Sequence, residues 1–192
     1  LSLVTRYKKF FKINLILDPK YSYNPASKFN IGVRQSEGSH IMLTNPETPH
    51  AMNILKSLDI ENMGNQYIVC ACQSITLLRD EGSFKSCQFE YKNWYQHTHL
   101  CDNRYHYCSL ISKENYNKIG GFDESFCDGI GYEDLNFLKR IEKHRINIVP
   151  RDDLITYHVE HSKRYDKSEA EWQNLVDINI KLWQGQVSSN SF

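Results

Sequence analysis

Apolar and polar positions recur along this chain with two periods, and their order predicts alternating strands and helices. "INLILD" (13–18) is a short apolar run that ends in an acid and reads as a strand. "NPASKFNIGVRQSEG" (24–38) opens on a turn signal, continues with helical spacing and stops at Gly38. "SHIMLT" (39–44) reads as a second strand, followed by the polar, proline-containing "NPETP". "HAMNILKSLDI" (50–60) sets Met52, Leu55 and Leu58 on one helical face, and "QYIVCACQSI" (66–75) reads as a third strand. Residues 76–103 are polar and aromatic and read as a long loop or irregular β-structure. "YHYCSLIS" (105–112) alternates like a strand, and "KENYNKI" is a short helix closed by Gly120. "EDLNFLKRIEKH" (133–144) has an apolar stripe of Leu135, Leu138 and Ile141. "INIVP" (146–150) and "LITYHVEH" (154–161) read as two strands, "SEAEWQNLVDINIKLW" (168–183) as an amphipathic helix, and "QGQVSSNSF" (184–192) as a polar tail.

This order predicts an α/β domain with a mostly parallel central sheet flanked by helices. "LSLVT" (1–5) also reads as a strand, but only "RYKKFFK" separates it from "INLILD". Adjacent parallel strands need a crossover of a dozen or more residues. The expectation is therefore that a crossover helix is absent from this stretch. Ligands of such sheets bind beyond the carboxyl ends of the strands. Asp18, Asn45, Glu47, His158 and His161 all fall at such ends.

Composition narrows the function classes. Lys+Arg and Asp+Glu both number 23 in 192 residues, so the formal net charge is zero. That gives no electrostatic case for a nucleic-acid or membrane-surface binder. No apolar run approaches the roughly 20 residues of a membrane span, and no signal peptide is visible. The six cysteines form no CxxC pair. At this size disulfide staples are unnecessary, which favours reduced thiols and a cytoplasmic protein, with a secretory lumen as the alternative.

Three segments carry candidate chemistry. In "TNPE", Asn45 and Glu47 present two oxygen-bearing side chains one residue apart at a strand tip. Such oxygens suit Mg²⁺ or Mn²⁺, although a turn that starts a helix has the same composition. In "YHVEHSK", His158 and His161 are three positions apart, so in an extended chain their rings point to opposite faces and only one meets a site. Two histidines in a surface turn are the simpler alternative. In "IGGFDESFCDGIGYEDLNFLKRI" (119–141), Gly120–Gly121 allows a tight turn over Phe122, while Gly129 and Gly131 let a ligand approach the backbone. Asp134 lies in the first turn of a helix, where the dipole favours an ionised carboxylate fit to serve as a general base.

The pair "IGGFDESF" and "GIGYEDLNFLKRI" resembles the C-terminal half of GT-A-fold glycosyltransferases. It is similar to family 2 enzymes, β-1,4-galactosyltransferases and polypeptide N-acetylgalactosaminyltransferases. "INLILDPK", "NPASKFNIGVRQSEGSHIMLTNPE" and "HVEHSK" resemble further segments of these proteins in the same order, over roughly residues 12 to 163. The compact size is also similar to bacterial enzymes and to the capsid-decorating glycosyltransferase domains of large DNA viruses.

The resemblance implies one catalytic domain over residues 1–192, with the first strand and crossover incomplete. It implies transfer of a sugar, hexosyl or other, from a nucleotide-diphosphate donor, UDP by preference, to a hydroxyl of a glycan or glycoprotein. Asp18 would contact the base or ribose, and Asn30 would help shape the nucleotide pocket. Asn45 and Glu47 would take the two acidic places of the family's DxD, with Glu47 on a divalent metal, Mn²⁺ or Mg²⁺, and His161 as a further ligand. Asn45 departs from the acid usual there. Asp134 would activate the acceptor and Glu133 would bind acceptor or donor sugar. An inverting course follows from that base, although the N-acetylgalactosaminyl relatives share these motifs and retain. A nucleotide-sugar-binding module without turnover and a metal-dependent nucleotidyltransferase are the alternatives from other classes.

Overall fold

A computed structural model of the chain describes residues 2–16, 22–79, 87–161 and 167–192. In chain order the helices are α1 (Ser2–Tyr7), α2 (Ala26–Gln35), α3 (Lys113–Lys118), α4 (Glu133–Lys143) and α5 (Glu169–Ser189). The strands are β1 (His40–Thr44), β2 (Gln66–Arg79), β3 (Gln88–Gln96), β4 (Cys108–Ser112) and β5 (Asn147–Val159). Single 3₁₀ turns occupy Leu55–Ser57 and Glu124–Asp128.

The α/β class holds. The sheet has the order β1-β4-β2-β3, and β5 also pairs with β2. β5 runs parallel to β2 from Gln66↔Asn147 to Ile75↔Val159. The sheet is not purely parallel: β1/β4, β4/β2 and β2/β3 are antiparallel. These directions bring the end of β1, the start of β4 and the end of β5 to one edge. β2 is the central ribbon because its residues are apolar on both faces. Tyr67 through Cys72 are all buried, as a strand covered on both sides requires.

One face of the sheet packs on α2 and α4. Val33, Tyr67, Tyr116, Phe122, Phe137 and Ile141 meet there in one cluster. Helix α2 starts where Asn24 Oδ1 accepts the N–H of Ala26 at 3.1 Å, with Pro25 filling a position that needs no donor. Helix α4 carries Glu133 and Asp134 in its first turn and Arg140 and Lys143 in its last, which suits the helix dipole at both ends. Its buried face is Glu133, Asn136, Phe137 and Ile141, and Leu135 and Leu138 are only half-buried. Helix α5 opens on a capping box, with Ser168 and Glu171 each bonding the other's backbone N–H.

The structure changes several local expectations. Residues 2–5 are helical rather than extended, and residues 13–16 pair with no strand among the described residues. An apolar run becomes a strand only where a ladder partner exists, and residues 17–18 of the expected strand lie outside the described residues. Residues 50–60 form no regular α-helix, because the backbone there is used elsewhere. The N–H of Ala51 bonds the carbonyl of Ile155 and that of Tyr157 bonds the carbonyl of Pro49. Of residues 76–103, the irregular β-structure alternative holds among the described ones: 76–79 complete β2 and 88–96 form β3, with shifts in the register between them. "INIVP" and "LITYHVEH" are one strand, and α5 runs on to Ser189 through the expected polar tail.

Candidate active site

The edge where β1 and β5 end and β4 starts is also where α4 begins, and a cleft of about 420 Å³ opens there. Asn45 and Glu47 line it from the turn after β1, His158 and His161 from the end of β5, and Gly131, Glu133 and Asp134 from the start of α4. Tyr95, Tyr107 and Trp172 complete its walls. A wider hollow of about 750 Å³ lies at the opposite end of β1, beside Lys113 and Lys118. Among the described residues, the group of side chains able to share a metal ion is in the cleft and not in that hollow.

The first wall is built by backbone pairing. Asn45 N–H bonds the carbonyl of Tyr107 at 3.2 Å, and Val159 N–H bonds the carbonyl of Glu47 at 3.0 Å. The turn after β1 is thus laid against the last residues of β5. Glu47, His158 and His161 each bring one ligand atom within 4.8 Å of the others. His161 Nε2 lies 3.9 Å from Glu47 Oε1, and Asn45 Nδ2 lies 3.5 Å from the same oxygen. The expectation that only one histidine faces the site is corrected. Strand β5 stops at Val159, so the alternation that would separate the two rings ends before His161. Their centroids are 5.6 Å apart, and Tyr95 stacks on His158 at 4.4 Å and 17°. A β3 bulge at this point re-aims Tyr95, since Cys72 pairs with Gln96 while Gln73 pairs with Trp94.

The second wall is set by the glycine loop. Gly121 has φ +68°, and a Cβ there would lie 2.5 Å from Asn30 Oδ1 and 2.8 Å from Tyr116 Cε1. The Asn30 amide is fully used in holding this loop. It donates to Phe122 O at 2.8 Å and Glu124 Oε1 at 2.9 Å, and accepts from Tyr116 Oη at 2.7 Å and Phe122 N at 3.0 Å. The structure thus places Asn30 behind the cleft wall, not in it. Gly129 packs on Asn179 of α5 rather than facing a ligand, whereas Gly131 lines the cleft with open space around it. Gly131 and Tyr132 both take positive φ, 74° and 69°. A left-handed aromatic residue costs roughly 1–2 kcal/mol, and this step turns the chain so that α4 starts at the cleft.

Asp134 keeps 22 % side-chain exposure, and its Oδ1 meets Nδ1 of His106, a ring 4 % exposed. Glu133 is more deeply set, at 6 %. Burial alone would push the His106 imidazole down, but the charge and hydrogen bond of Asp134, helped by Glu133 and Glu47, raise it above its ordinary value. Burial pushes the phenols of Tyr95, Tyr105 and Tyr107 up, and Asp134 adds to each shift. They stay neutral hydrogen-bond donors. Among the expected residues, Asn45, Glu47, His161, Glu133 and Asp134 come together. Asp18 lies outside the described residues. Tyr95 is one of the aromatics of the "NWYQ" segment that suit stacking on a sugar ring or plain packing equally, whereas His106, Tyr107 and Trp172 carry no site signal in the pattern. The "YHY" of residues 105–107 was the one trace of His106, and it reads equally well as strand alternation.

Residues 16–172 match the family described as glycosyltransferase like family 2, and the chain belongs to that family. Its fold is GT-A. Among solved structures it is similar to the catalytic domain of Drosophila β1,4-galactosyltransferase 7, solved with xylobiose. The two share 13 % identity at a TM-score of 0.55, over 82 % of this chain and 61 % of that one. At that identity the likeness shows the fold alone, and the chain spans about three-fifths of that neighbour's length. No curated protein matches the chain in sequence. No helix among the described residues is long and apolar enough to cross a membrane.

Proposed function

We propose that the protein transfers a sugar from a UDP-linked donor to a hydroxyl of a glycan or glycoprotein, with inversion and with help from a divalent metal. The observation that carries this reading is the meeting, in one cleft, of Glu47, His158 and His161 with Asp134 at the mouth of a helix. One carboxylate and two imidazoles fit a divalent ion, and the nitrogen donors favour Mn²⁺ over the oxygen-seeking Mg²⁺. An ion bound there would supply positive charge to the leaving diphosphate. His161 is 41 % exposed and has room to turn toward such a ligand set. Tyr95 holds the His158 ring flat against itself, and Asn45 steadies the carboxylate of Glu47.

Across the cleft, Asp134 takes the proton of the acceptor hydroxyl as that oxygen attacks the anomeric carbon. Attack from the side opposite the diphosphate inverts the configuration. The tyrosine hydroxyls donate hydrogen bonds to the sugar or phosphate oxygens, and Gly131 leaves space for the acceptor against the backbone. Asp18 contacts the nucleotide in this reading, and Asn30 contributes through the loop it holds. Thermal shift with a panel of UDP-sugars, with and without Mn²⁺, tests binding, because a ligand of the folded state raises its apparent stability. UDP release in the presence of sugar acceptors tests turnover. Mn²⁺-dependent stabilisation without UDP release would mark a binding module, and no shift with any UDP-sugar would remove the donor assignment.

A further inference from the structure

We propose that His106 is a positioning residue for Asp134: its Nδ1 pairs with Oδ1 of the carboxylate and fixes which oxygen the acceptor hydroxyl meets. This rests on the role proposed for Asp134. His106 sits two residues before β4 with its ring buried, and Nδ1 meets Asp134 Oδ1. A carboxylate oxygen only accepts, so Nδ1 carries the proton whether the ring is neutral or charged. Neither ring nitrogen makes a well-directed hydrogen bond among the described residues, and the ion-pair contact with Asp134 is what holds the Nδ1 side of the ring. Asp134 is therefore the polar anchor of this ring.

The ring itself is locked by aromatic contacts. Phe29 of α2 meets it edge-on at 4.7 Å and 86°, and Phe122 at 4.8 Å and 72°. Phe122 is fixed in turn by stacking on Phe137 at 4.2 Å and 10°. An apolar ring would fill this box without the cost of burying a polar one. What histidine adds is a ring nitrogen fixed against the base. The charged groups that face it are Asp134 and Glu133 from α4 and Glu47 from the turn after β1. The flanking rings from α2 and the glycine loop are uncharged. These three carboxylates outweigh the cost of burial and raise the pKa of the ring. A side chain at a helix mouth otherwise samples several rotamers, and misplacing a reacting group by about 1 Å costs on the order of 10²-fold.

Two substitutions separate positioning from packing. His106→Phe keeps the ring and removes the donor. His106→Asn places an amide N–H where Nδ1 lies and removes the ring. Positioning predicts that kcat for the most active UDP-sugar falls about 10- to 100-fold in His106→Phe, with donor KM unchanged, and stays within a few-fold in His106→Asn. A packing role predicts the reverse, and wild-type kcat in His106→Phe would overturn the proposal. The pairing is also read without any substrate, from the ¹⁵N–¹H ring signals of the full chain. The His106 signals, assigned by their loss in His106→Phe, should titrate above the ordinary histidine range and move down in Asp134→Asn. A titration unchanged by Asp134→Asn would overturn the pairing. If no UDP-sugar turns over, the function proposed above fails, while the ring titration still decides the pairing.

Discussion

Replacing Gly121 by alanine tests the link between the glycine loop and the site wall. Two costs add. The first is the left-handed φ of +68°, which costs an alanine roughly 1–2 kcal/mol. The second comes from the new Cβ at 2.5 Å from Asn30 Oδ1 and 2.8 Å from Tyr116 Cε1. Both atoms belong to the buried network in which Oδ1 accepts from Tyr116 and from the Phe122 N–H. Displacing that amide leaves a buried hydrogen-bonding group unmet, at about 1–3 kcal/mol. The expected loss is about 3 kcal/mol, or about 1.5 M in urea midpoint for a slope of about 2 kcal/mol/M. Gly131→Ala is the internal control. Its φ is +74° but nothing lies within 4 Å of its Cβ, so the backbone cost alone applies, at roughly 1–2 kcal/mol. Urea unfolding followed by tryptophan fluorescence compares the two at equal slope. Equal losses would refute the steric part of the argument and remove Asn30 as the strut of this loop.

Other outcomes follow from the same geometry. Glu47→Ala, His158→Ala and His161→Ala should each weaken Mn²⁺ binding measured by calorimetry with UDP, and unchanged affinity in all three would place the ion elsewhere. Asp134→Asn should lower transfer by about 10²-fold or more with UDP affinity little changed, and a near wild-type rate would remove the base assignment. The raised pKa of His106 has a stability consequence of definite sign. Its contribution is fully present below the ordinary histidine pKa and lost as pH rises through the raised folded value. Urea midpoints measured from pH 5 to 9 should therefore decline across that upper window in the wild type and decline less in Asp134→Asn. Burial lowers the pKa of His50 and gives the opposite slope at lower pH, which both proteins share.

The sequence by itself determined the parts that depend on neighbours along the chain. The acidic entry and basic exit of α4, the Gly120–Gly121 turn over Phe122, the apolar run of β2 and the polar turn after β1 are all legible there, since each is a local rule of period, cap or turn. Their order was enough to identify the family. Tertiary structure decided what met across the chain. Residues 13–16 look like a strand but have no ladder partner among the described residues, and residues 50–60 look like a helix but lend backbone to β5. That same loan presses Glu47 against His158, a contact 111 positions apart in sequence that no period encodes. His161 joins them only because β5 stops at Val159, a boundary set by pairing and not by composition. His106 is the clearest case: in the sequence it is one polar residue between two tyrosines, and only the packing of α2, the glycine loop and α4 around it turns its ring toward Asp134.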